Sequence, residues 1–134
     1  MSINKTNIRV RYEETDRMGV VYYSKYLVWF EIGRTELFRQ RGLSYRDLEE
    51  KNGVRLMVVS VNCAYKLPVT YDDLITIETH IPKIRNSSMV FSYNIFRDTS
   101  LVATGESTHV FTDKNGKPIK IYPEVREALA TAQA

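Results

Sequence analysis

The 134 residues suit one folding domain, and 43% apolar with 26% charged residues is the composition of a chain that buries an ordinary core. A formal charge of +3, without clustered Lys and Arg, argues against a nucleic-acid binder and suits a small anionic molecule better. One cysteine, Cys63, excludes an intrachain disulfide; no apolar run approaches about 18 residues, so a cytoplasmic protein without membrane insertion is expected.

Ile8, Val10 and Tyr12 alternate with Asn7, Arg9 and Arg11, which predicts a short first strand running to Tyr12. The acidic run Tyr12-Glu13-Glu14-Thr15-Asp16 then turns through Gly19, a residue free to take positive φ. From Ser24 to Arg41 the period becomes helical, with Tyr23, Tyr26, Leu27, Phe30, Gly33, Leu37 and Phe38 at i+3 and i+4 spacing. Ser24 is the expected N-cap, and Gly42 ends the helix. Val28, Trp29 and Ile32 widen the apolar face, so this helix is expected to be covered on more than one side. Gly33 in its middle predicts a close approach by another backbone.

Ser44-Tyr45-Arg46-Asp47 resembles a capping signature and opens a short helix to about Lys51. After Asn52-Gly53 the pattern is β. Met57, Val59, Val61, Cys63 and Tyr65 alternate in one strand, where Cys63 reads as a small core residue. Leu74 to Ile84 carries Ile75, Ile77 and Ile81 on one face, the following strand Met89, Phe91, Tyr93 and Ile95, and Leu101 to Thr112 makes the last strand. A polar loop from Asp113 to Pro118 leads to a C-terminal helix opened by Pro123. Short turns predict antiparallel neighbours, and one long apolar helix can cover the sheet's apolar face. The prediction is a single α+β domain, 1–134, with an antiparallel sheet wrapped round the helix.

The order of residues around Asp16 carries the chemistry. It sets a carboxylate beside the N-terminus of a buried helix, where unpaired N–H groups hold partial positive charge. A carboxylate next to such an electrophilic backbone pocket suits acyl transfer; a turn carboxylate that only satisfies backbone donors is the plainer alternative. Glu13 and Glu14 read as solvated loop acids, with a supporting role at the site as the alternative, and Glu31, Arg34 and Glu36 as surface or interface charges, with a catalytic part for Glu31 as the alternative. His80 and His109 stand alone on separate strands, so no metal cluster is expected.

The stretch Asp16-Arg17-Met18-Gly19-Val20-Val21-Tyr22-Tyr23, with Tyr26 and the helix behind it, closely resembles the hot-dog-fold acyl-CoA thioesterases of the 4-hydroxybenzoyl-CoA thioesterase type, nearest to the bacterial subgroup associated with the Tol-Pal gene cluster. The resemblance covers nearly the whole chain. It implies Asp16 as the catalytic carboxylate, Tyr23 as the residue whose backbone N–H polarises the thioester carbonyl, and Gly19 as the turn between them. Tyr26 would edge the acyl pocket, whose length would depend on Trp29, Phe30, Met57 and Met89. Lys83, Arg85, Asn86 and Ser87 fall on the turn that meets the nucleotide end of coenzyme A in the family. Several relatives carry His where this chain has Tyr23, which leaves a backbone role there and removes an imidazole one.

The resemblance implies hydrolysis of acyl-CoA to free acid and coenzyme A, with no metal or other cofactor. A thioesterase acting on acyl carrier protein and a non-catalytic acyl-CoA-binding module are the competing readings. An uncovered sheet edge argues for a homodimer, and the resemblance for a homotetramer.

Overall fold

The computed structural model describes residues 3–130. Along the chain run β1 (Asn4–Arg9), a single 3₁₀ turn (Tyr12–Glu14), α1 (Lys25–Gln40), α2 (Tyr45–Asn52), β2 (Arg55–Tyr65), β3 (Leu74–Ile84), β4 (Ser88–Arg97), β5 (Ser100–Thr112) and α3 (Pro123–Ala130). The strands form one antiparallel sheet in the order β1-β3-β4-β5-β2.

The core lies between α1 and the middle of that sheet. Tyr26, Trp29, Phe30, Gly33, Leu37 and Phe38 form the buried stripe of α1. They meet Ile75, Ile77 and Ile81 of β3 and Met89, Phe91, Tyr93 and Ile95 of β4, all inaccessible to solvent. Burying each such side chain stabilises by about 1.5–3 kcal/mol. Phe30 stacks on Tyr93 with ring centroids 4.2 Å apart, and Phe38 on Tyr45 at 4.9 Å. The long apolar helix wrapped by an antiparallel sheet is the α+β hot-dog arrangement expected from the sequence.

Turn chemistry behaves as the residues dictate at the helix ends. Gly42 takes φ +77°, and the Leu43 N–H reaches back to the Phe38 carbonyl (2.9 Å), which closes the end of α1. Ser44 Oγ accepts from the Asp47 N–H (3.2 Å), capping α2. Ser24 holds the N-cap position of α1 without a side-chain cap bond, so that helix start is left open.

Four expectations need correction. The first strand stops at Arg9; Glu14 closes a 3₁₀ turn through Arg11 instead, and Tyr12 is exposed. The strands β2 and β3 are not neighbours. The segment between them is bound by Lys66 N–H to the Val102 carbonyl (2.8 Å) and by its Val69 carbonyl to the Val21 N–H (2.8 Å), so β2 crosses to the far edge beside β5. Gly33 is approached by side chains rather than backbone: a Cβ there would lie 2.3 Å from Thr79 Oγ1 and 2.9 Å from Ile77 Cγ2. On β2, which lies outside the helix's cover, Met57, Val58, Val59 and Val61 are all exposed. Among the described residues, no helix is long and apolar enough to cross a membrane.

Candidate active site

A short hairpin holds Asp16. Thr15 bridges Val21, and the Asp16 N–H donates to the Val20 carbonyl (2.9 Å). The Gly19 N–H donates back to the Asp16 carbonyl (2.9 Å) with Gly19 at φ +83°. This is the bonding pattern of a hairpin loop closed on a left-handed glycine. Asp16 Oδ1 accepts from the Met18 N–H (2.8 Å), leaving Oδ2 without a hydrogen-bond partner among the described residues. The half-buried carboxylate thus fixes its own turn with one oxygen and keeps the other free.

The return arm of the hairpin runs directly into α1. The Tyr22 carbonyl accepts from the Lys25 N–H (2.9 Å), which places Tyr23 and Ser24 in the turn just ahead of the helix. The Tyr23 N–H makes no hydrogen bond with the described residues, and the helix adds partial positive charge there. The Tyr23 carbonyl is held by the Tyr65 hydroxyl (2.9 Å), a link from the end of β2 to the entry of α1.

Asp16 and Tyr23 line one cleft of about 440 Å³, with Met18, Tyr22, Tyr26, Tyr65, Lys66, Leu67 and Pro68 among its walls. Tyr26 is almost completely buried, its ring 4.9 Å from Trp29 and 4.8 Å from Tyr65. Burial first, and neighbouring Cys63 second, raise its phenol above the ordinary tyrosine value, so the hydroxyl stays neutral. The far wall is clamped: Arg97 donates to the Pro68 carbonyl (2.7 Å) and meets Asp73 Oδ2 (3.3 Å). Asp73 also accepts from the Thr70 N–H (2.9 Å), the main reason its carboxyl sits below the usual range.

The cleft differs from the pocket expected from sequence. Trp29, Phe30 and Met89 are sealed in the core and Met57 is exposed on β2; none of them lines it. Tyr65, Leu67, Pro68 and Met18 do. Their spacing gives no sign of this, because the walls come from the hairpin, the helix entry and the segment after β2.

Lys83, Arg85, Asn86 and Ser87 lie elsewhere. Arg85 and Asn86 border a separate cleft of about 840 Å³ with Ile121, Tyr122 and two further cations, Lys120 and Arg126. Arg126 donates to the Arg85 and Asn86 carbonyls and pins α3 to that turn. Tyr65 pairs with Ala103, whereas Ser88 pairs with Val110 of the same strand. Seven residues of β5 separate those rows, roughly 23 Å at a strand's rise per residue. One chain therefore does not bring this turn to Asp16.

Two other expectations change. Glu14 is half-buried rather than a solvated acid, and its Oε2 accepts from Trp29 Nε1 (2.9 Å). Arg34 is half-buried rather than on the open surface: Nη1 reaches Tyr93 Oη (3.4 Å), which bonds Ser107 Oγ (2.6 Å), which bonds His109 Nε2 (2.7 Å). Glu31 stays exposed and accepts from Thr35 Oγ1. Among the described residues, no three His, Cys, Asp or Glu side chains gather where they could hold a metal ion.

A carboxylate with a free oxygen, an unpaired N–H at a helix entry and an apolar cleft between them is an arrangement suited to acyl chemistry. Known proteins agree in sequence and fold. The Bacillus subtilis protein YneP is 39% identical, with 99% of each chain aligned. The acyl-CoA thioesterase YbgC of Haemophilus influenzae is 30% identical over 91% of this chain and 90% of that one. The crystal structure of the DHNA-CoA thioesterase from Staphylococcus aureus superposes with a TM-score of 0.91 at 32% identity, covering 96% of this chain and 89% of the other. The pattern of the thioesterase-like superfamily matches residues 10–129, and the chain belongs to that family.

Proposed function

We propose that the protein is an acyl-CoA thioesterase, hydrolysing acyl-CoA to free acid and coenzyme A, and that Asp16 is its catalytic carboxylate. The observation that carries this reading is the pairing, in one cleft, of the free Asp16 Oδ2 with the unbonded Tyr23 N–H. The thioester oxygen accepts from Tyr23 N–H, which stabilises the developing oxyanion; one such donor is worth roughly 3–4 kcal/mol. Asp16 either takes a proton from the attacking water and passes it to the departing thiolate, or attacks the carbonyl carbon itself to form an anhydride that water then hydrolyses, giving the free acid, the regenerated carboxylate and the proton for the thiolate. In both routes the C–S bond breaks and coenzyme A leaves as a thiol. Gly19 holds the turn, and Tyr26 borders the acyl group. The reaction needs no further cofactor, and we take the enzyme to be cytoplasmic.

A second copy completes the reading. The free edge of β2 is long and apolar, a surface that invites strand pairing. Antiparallel pairing of two β2 edges would set the Tyr65 end of one protomer beside the Arg55 end of its partner. The partner's turn from Arg85 to Ser88 lies at that Arg55 end, since Ser88 and Met57 both align with Val110. The dimer would thus offer Lys83, Arg85, Asn86 and Ser87 to the phosphates of a substrate held at Asp16. A tetramer would pair two such dimers.

The test is release of free thiol from acetyl-, medium-chain, palmitoyl- and 4-hydroxybenzoyl-CoA by the natural chain and by Asp16→Asn. A loss of at least about a hundredfold, roughly 2.7 kcal/mol, in a folded variant is expected. Turnover that survives in Asp16→Asn removes the catalytic assignment. No turnover on any CoA thioester, with turnover on matched carrier-protein thioesters, would move the substrate to the carrier; binding without turnover would leave a non-catalytic module.

A further inference from the structure

We infer that Glu14 is a positioning residue that locks the hairpin bearing Asp16 to the central helix; this rests on the catalytic reading of Asp16 above. A hairpin this short has little stability of its own and takes its position from what it is tied to. Its return arm is fixed by the Val21 N–H on the Val69 carbonyl (2.8 Å). Its outgoing arm carries Tyr12, which packs on Tyr71 with ring centroids 5.5 Å apart, Thr15, whose Oγ1 donates to the Tyr12 carbonyl (2.7 Å), and Glu14, which makes three bonds. The Glu14 carbonyl accepts from the Tyr22 N–H (2.9 Å), Oε1 accepts from the Arg11 N–H (2.8 Å), and Oε2 accepts from Trp29 Nε1 (2.9 Å).

The third bond is the informative one. A group that only capped the 3₁₀ turn would need Oε1 and nothing more. Oε2 instead reaches the fully buried indole of Trp29, in the second turn of α1. The Tyr23 N–H stands at the entry of that same helix. This side chain therefore ties the outgoing arm, just ahead of the carboxylate, to the body of the helix whose entry carries the oxyanion donor. Both partners of the carboxylate are N–H donors, so both oxygens must accept, which an ionised carboxylate does and an amide cannot. Gln at this position would oppose one donor with its own NH₂.

The experiment compares Glu14→Gln, Trp29→Phe, Asp16→Asn and the double variant Glu14→Gln/Asp16→Asn by steady-state kinetics on the best CoA thioester of the panel. Circular dichroism confirms folding. Misplacement of a reacting group by about 1 Å costs on the order of a hundredfold. Glu14→Gln is expected to lower kcat by roughly tenfold or more with KM within about threefold, the mark of an interaction used in the transition state. Trp29→Phe breaks the same bond from the helix side and should lower kcat in the same way, which keeps the test decisive should the Gln variant fail to fold. The emission of Trp29, the chain's one tryptophan, should shift in Glu14→Gln as its indole loses the acceptor.

In the Asp16→Asn background, Glu14→Gln should cause no further loss. Unchanged kcat in folded Glu14→Gln or Trp29→Phe overturns the inference while leaving Asp16 catalytic. An equal loss with and without Asp16 also overturns it, since Glu14 would then act by another route. Full turnover in Asp16→Asn alone removes the catalytic reading itself, and is seen independently of Glu14.

Discussion

Lowering the pH should weaken this fold through His109. The ring is fully buried on β5; Nε2 bonds Ser107 Oγ, and Phe91 meets the ring edge-on with centroids 5.2 Å apart. Burial first, and the positive charge of Arg34 second, push the imidazole down to about 4, against a weaker opposing pull from the Leu56 backbone. An unfolded histidine titrates near 6.5. Between those values the unfolded chain binds a proton that the folded chain refuses, so stability rises with pH across the window. The contribution of the neutral ring is complete above about pH 6.5 and is lost progressively as pH falls toward 4. A window of roughly 2.5 units at 1.36 kcal/mol per unit gives about 3 kcal/mol. Urea unfolding from about pH 7.5 to about pH 4.5, for the natural chain and for His109→Gln, isolates the effect from that of the carboxylates. The natural chain should lose on the order of 2–3 kcal/mol more than the variant across that range. Parallel stability curves for the two would refute the argument.

Two further outcomes follow from packing. Gly33→Ala sets about 1 kcal/mol of helix propensity against overlap with Thr79 Oγ1 and Ile77 Cγ2, both fully buried side chains on β3, an internal strand of the sheet. Overpacking of this kind costs about 1–3 kcal/mol, so a lower urea midpoint is expected, and a more stable variant would show the sheet yields there. The free β2 edge predicts at least a dimer at micromolar concentration by light scattering. Val59→Lys, a charge on an exposed edge position, should shift it toward monomer; a monomeric natural chain would sink the edge-pairing reading.

Sequence alone determined the features that depend on near neighbours. The helical period of α1, the alternation of β3 and β4, the left-handed Gly42 and the Ser44 cap each need only a few consecutive residues and stand as read, except that Tyr23, Leu27 and Val28 are exposed rather than part of the covered face. The turn at Gly19, which leads Asp16 to the helix entry, also stands as read. Tertiary structure decided what depends on partners far along the chain. The alternation of β2 does not say which strand it joins, and the bonds from Lys66 and Val69 send it to the far edge. Periodicity does not say how far a helix covers a sheet, so Met57 and Val59 look like core and are exposed. Glu14 and Arg34 look like surface charges because nothing beside them in the chain is their partner; Trp29 and Tyr93 come to them only when α1 settles on the sheet. The separation of Arg85 from Asp16 is likewise a property of the sheet, since the Arg85 turn and the cleft of Asp16 stand at opposite ends of the strands between them.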